Sequence, residues 1–159
     1  MRITEKALAN LEQIKNEIPI WIRDAILENR GQIVNLVKFE QLSKGLNSDG
    51  QPLSWSGGTG FYAQATQSFA YRDNVRIPKV EGWAYNFSWS GQTLDNMYID
   101  SVDVSKSTYE IETVKSKENL LEGIYGEIFK LTDEHNKYVN ENIIQPYISK
   151  KIMENILKF

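Results

Sequence analysis

Cysteine is absent from the 159 residues. That excludes a disulfide scaffold, thiolate metal sites and thiol nucleophiles together, and it fits assembly in a reducing compartment. Histidine occurs once, at His135, so no His-Glu-x-x-His metal pair can form, and no Gly-x-Ser-x-Gly elbow is present either. No apolar run approaches the ~20 residues of a membrane span. The N-terminal stretch MRITEKALANLEQIKNEI alternates charged and apolar residues, unlike the continuous apolar segment of a secretory leader, so the product is expected to be soluble and to stay where it is made. A basic excess is missing too. Eighteen Lys and Arg stand against 21 Asp and Glu, a net charge of −3, which argues against a face built for the nucleic-acid backbone. Lys150, Lys151 and Lys158 near the C-terminus read as a solvated helix face.

What is present is ordinary for a globular protein. At 41% hydrophobic and 25% charged, the chain reads as one domain over 1–159, large enough to bury a core unaided. Three zones follow one another, helical over 1–31, mainly β with long loops over 32–114, and helical over 115–159. In the first, Ile3, Ala7, Leu11, Ile14, Ile18, Ile22 and Ile26 recur at steps of three or four, one stripe of an amphipathic helix. Pro19 should kink it or divide it in two, one helix ending near Asn16 and another running from Pro19 to Arg30, with Gly31 as the stop. The β-branched stretch IVNLVKF reads as a short strand.

In the middle zone NSDGQP is a turn by its chemistry. Trp83, Tyr85, Phe87 and Trp89 alternate with small or polar residues, the period-two signature of a strand with one buried face. MYIDSVDV and STYEIETV read as a β-hairpin. Further on, LLEGIYGEIFKLT suggests a short helix or turn. Thr132 is placed to cap the last helix, with Asp133 and Glu134 favourable against its dipole. That helix should break near Pro146. Helices, then sheet, then helix define an α+β fold: an N-terminal kinked helix or helix pair, a central antiparallel sheet with a β-hairpin, and a long C-terminal helix.

The search for chemistry returns no catalytic residue, no cofactor-binding residue and no metal ligand. His135 sits on a polar stretch and reads as a surface residue. Gly57-Gly58-Thr59-Gly60 is not followed by Lys-Ser/Thr and reads as a flexible loop instead of a phosphate cradle. Gly45-Leu-Asn-Ser-Asp-Gly50 fails as a calcium loop, because Gly45 and Ser56 occupy the positions of the strongest oxygen ligands. Asp95, Asp100 and Asp103 read as solvated carboxylates. Asn86-Phe-Ser matches a glycosylation acceptor, yet it lies inside the expected strand. The remaining signal is aromatic. Trp55, Phe61, Tyr62, Trp83, Tyr85, Phe87 and Trp89 crowd into one third of the chain, more than a small core readily absorbs, and such residues are enriched at protein interfaces. Trp55, Phe61, Tyr62, Trp83 and Trp89 are the candidates for a partner surface.

The text DAILENRGQIVNLVKFEQLSKGLNSDG at Asp24–Gly50 resembles a recurrent pattern in small structural proteins of phages and prophages of Bacteroidetes hosts, crAss-like phages included. YNFSWSGQTLDNMYI and YGEIFKLTDEHNKYV are similar to later pieces of that pattern, although Ser90-Gly91 stands where Thr-Gly is usual. These are neck, head-tail connector and tail-completion proteins. The resemblance implies a non-enzymatic virion protein made in the host cytoplasm and without contact with membrane. It implies a cyclic homo-oligomer of roughly twelve copies, neighbours such as the portal or other neck and tail proteins, and a lumen passing genome DNA without specific binding. A minor tail or baseplate component is the alternative within that class. A small virion-associated hydrolase using two carboxylates, or a host-encoded adaptor, are the alternatives outside it.

Overall fold

The computed structural model describes residues 3–54, 60–75, 77–86, 92–106 and 108–156, with the side chains of 3, 4, 92 and 115–117 left aside. It is α+β. Helix α1 (Ile3–Glu28) carries Pro19 in its interior as one continuous helix, the single-helix form of the expectation and not a pair divided between Asn16 and Pro19. Losing one backbone bond at an interior proline costs about 3 kcal/mol. Burial of Trp21, Ala25 and Ile26 just beyond it anchors the second half of the helix. Nor does Gly31 end the helical run. The chain bends at Asn29, whose side chain donates to the Ala25 carbonyl at 2.8 Å, and continues as α2 (Arg30–Asn35).

The segment expected as a strand, Ile33 to Phe39, is therefore helical, passing from α2 into a π-helical turn over Leu36–Gln41 and a 3-10 turn over Leu42–Lys44. β-Branched residues favour strands only weakly, and tertiary burial overrides that preference. Ile33, Val37 and Gln41 lie four apart and are all buried, with Val34 beside them. That spacing is one helix face.

The expected NSDG turn is present. Asn47 Oδ1 accepts from the Asp49 and Gln51 amides at 3.0 and 2.9 Å, and Leu46 bridges Pro52. The rest of the middle zone is less β-rich than expected. Helix α3 (Gln64–Arg72) and the short α4 (Gln92–Asp95) occupy parts of it. Of the anticipated strand at Trp83–Trp89, the described part makes one isolated bridge, Ala84 to Phe61, while Phe87–Trp89 lie outside the described residues.

The antiparallel sheet is the hairpin of β1 (Tyr98–Asp103) and β2 (Thr108–Glu112). Ile99 pairs Ile111 and Val102 pairs Tyr109, so β1 carries one extra residue between the pairs. Such a bulge sharpens the local twist. Helix α5 (Lys115–Tyr125) follows. Thr132 then caps α6 (Asp133–Val139) as expected, its hydroxyl accepting from the His135 amide at 3.2 Å. His135 itself is half-buried with an enclosed Nδ1, not a surface residue. Ahead of Pro146 the chain widens into a π-helical segment (Asn140–Ile144) and resumes as α7 (Gln145–Ile156). A widened turn relieves the clash between a proline ring and the carbonyl four residues earlier.

The core gathers Ile26, Val37, Leu42, Leu53, Ile99, Ile111, Ile128 and Phe129 with their neighbours from the other elements except α3 and α7. Helix α7 packs along α1, pinned where Tyr147 Oη donates to Glu28 at 2.8 Å. From Glu5 to Gln13, by contrast, every side chain of α1 except Asn10 is exposed.

Candidate functional site: an aromatic lobe on a buried lysine

Residues 60–75 and 77–86 form a lobe in which the chain leaves the core at Gly60, builds α3 and returns. Gly60 has φ +77, and a Cβ there would fall 1.5 Å from the Leu53 carbonyl oxygen. Only glycine fits such an approach. The two legs of the lobe are stitched by backbone bonds, Tyr62 to Trp83 at 2.8 Å, Gly82 to Tyr62 at 2.9 Å and Tyr85 to Gly60 at 3.0 Å. Gln67 Oε1 on α3 accepts from the Glu81 amide at 2.7 Å.

Outside, the lobe shows Phe61, Phe69, Tyr71, Ile77 and Trp83, with Trp83 58% and Tyr71 90% exposed. Arg72 lies 5.0 Å over the Phe69 ring. Of the predicted interface residues, Phe61 and Trp83 are therefore surface side chains of one lobe. Tyr62 is not: it is buried, because its strand-like leg alternates direction and sends it inward. Trp55 and Trp89 lie outside the described residues, as do Gly57, Gly58 and Thr59.

Inside the lobe, Tyr62 Oη donates to Asn86 Oδ1 at 2.9 Å and accepts from the Asn86 amide at 3.0 Å. Lys79 Nζ donates to the same Asn86 Oδ1 and sits 5.5 Å from the Tyr62 ring centre. The Tyr62 ring meets Tyr85 edge-on at 4.9 Å, and Tyr85 meets Tyr125 of α5 at 6.3 Å, which ties the lobe to the body. Lys79 is only 2% exposed. Among the described residues no carboxylate pairs with it. Desolvation lowers its pKa to about 8, since burial penalises the charged form. Burial likewise raises Tyr62, Tyr85 and Tyr125. A cavity of about 480 Å³ opens between α3 and the returning leg, lined by Gln67, Tyr71, Val75, Pro78 and Lys79 among others.

Lys79 carries no local signal: Pro78-Lys79-Val80 looks like any loop. Asn86 stood out only as a glycosylation acceptor, whereas its side-chain oxygen binds Tyr62 and Lys79. Among the described residues no group of acidic or histidine side chains is placed to hold a metal ion, and no helix is long and apolar enough to cross a membrane. Compared with known proteins, the chain matches no family model, no curated protein and no solved structure.

Proposed function

We propose that this chain is a non-enzymatic structural subunit of a tailed-phage virion, assembling as a closed ring at the head-tail junction or upper tail. The observation that carries the reading is the row of exposed large apolar side chains on one lobe, Phe61, Phe69, Tyr71, Ile77 and Trp83. Surface of that kind marks interaction sites, and aromatic anchors carry most of the energy of interfaces. A ring needs two different patches on each subunit. The second is the exposed face of the N-terminal half of α1, where Leu8 and Leu11 are both more than 60% exposed. The ordered motifs from Asp24 onward support the phage assignment, with the portal and neighbouring neck or tail proteins as partners and genome DNA passing the lumen unbound.

Two variants test the arrangement, Trp83→Ser on the lobe and Leu11→Asp on α1. Each alone should fail to build rings when followed by native mass spectrometry. Mixed, they should give discrete pairs, each joined through its one intact patch of either kind. Normal oligomers from both variants would refute the two-patch reading.

A further inference from the structure

We propose that Lys79 and Asn86 are a self-modification site, at which the lysine amine condenses with the asparagine side-chain amide to form an intramolecular isopeptide bond. The inference is independent of the virion reading. Lys79 Nζ is hydrogen-bonded to Asn86 Oδ1, so the nitrogen lies one bond beyond the carbonyl oxygen from Cγ. Holding the amine against its target amide makes the attack intramolecular, with the lone pair turning to Cγ once the donated hydrogen bond is released. The lysine is enclosed against the Tyr62 ring. Desolvation lowers its pKa to about 8, so an appreciable share is the neutral, nucleophilic amine near neutral pH.

Tyr62 supplies the third component. Its hydroxyl donates to the same Oδ1 at 2.9 Å, where negative charge develops as the tetrahedral intermediate forms. A donor already in place at that oxygen is worth 10²–10³ in rate in comparable sites. The reaction balances without a further reagent. The Nζ–Cγ bond forms, the Cγ–Nδ2 bond breaks, and one proton from Nζ leaves with the amide nitrogen as ammonia. The product is a neutral secondary amide. From the ammonium form of Lys79 a second proton also leaves Nζ and the leaving group is ammonium. The buried charge, with no carboxylate partner among the described residues, then passes to solvent and the forward direction is favoured. The bond closes the turn of the lobe, fastening the two ends of residues 79–86.

The test is the mass of the purified full chain, followed over time at mildly alkaline pH. It should fall by about 17 Da, the mass of ammonia. In a tryptic digest Lys79 should resist cleavage, giving one peptide from Ile77 to Lys106 lighter by the same amount. A succinimide at Asn86 also loses ammonia, but it leaves Lys79 cleavable and would overturn the proposal. Lys79→Met should keep its full mass. Tyr62→Phe, which retains both reacting groups, should convert about 10²-fold more slowly. Wild-type protein that holds its full mass throughout, with cleavage at Lys79, overturns the proposal whether or not either variant folds.

Discussion

Gln41 is a fully buried amide whose Nε2 donates to two backbone carbonyls, Ile128 at 3.1 Å and Lys130 at 2.9 Å. Those carbonyls belong to the stretch that seats Ile128, Phe129 and Leu131 in the core and delivers Thr132 to the cap of α6. Replacing Gln41 by Met conserves volume and removes both donors. Two lost bonds cost about 3 kcal/mol, since the Ile128 carbonyl is left unpaired in the interior and the Lys130 carbonyl is left unpaired at its part-buried edge. Gln41 Oε1, however, is itself buried without a hydrogen bond, and its removal returns about 1 kcal/mol. The net destabilisation is about 2 kcal/mol, or about 4–8 °C in melting temperature for a chain of this size. Calorimetry with parallel urea unfolding measures it. A shift below about 1 °C with an unchanged urea slope would show that the 128–130 stretch is held by apolar packing alone, and the reasoning would fail.

Gly60→Ala should be among the most damaging small substitutions. It combines positive φ with a Cβ placed 1.5 Å from the Leu53 carbonyl, and a loss beyond about 3 kcal/mol in chemical unfolding is expected. Tyr109 behaves in the opposite way, since its hydroxyl is buried without a hydrogen bond. Tyr109→Phe should unfold at an equal or higher temperature, and a clear loss would reveal an unseen partner. Burial pushes the Tyr109 pKa up to about 12. The stability linked to its neutral form is full below pH 10 and is lost as pH rises through 12. Absorbance titration should find this phenol ionising among the last, together with Tyr147, which burial and Glu28 also raise to about 12.

Features that depend on neighbours in sequence were legible. The hairpin at Tyr98–Glu112, the Asn47 turn and the Thr132 cap each follow from a few adjacent residues with one dominant local chemistry. Features decided at a distance were not. Ile33, Val34 and Val37 look like a strand until the burial of Gln41, four residues beyond Val37, shows a helical face. Pro19 allows either a kinked helix or a divided pair, and only the core contacts beyond it explain why the helix persists. The helix at Gln64–Arg72 has no strong apolar stripe, because little of it except Ala70 is buried. For the candidate site, Phe61 and Trp83 lie on the surface while Tyr62 turns inward, a difference set by the alternation of one strand-like leg. Nothing in the order of residues sets Lys79 apart from the other lysines. Its burial against Tyr62 and Asn86 arises only once the two legs of the lobe are stitched together.

The most direct measurement of the proposed role is the copy number of the chain in purified phage particles, by quantitative mass spectrometry against the portal protein. A ring subunit should be present at a fixed, small ratio to the portal that does not change on further purification. A chain that stays in the soluble lysate and is missing from intact particles would contradict the structural role outright.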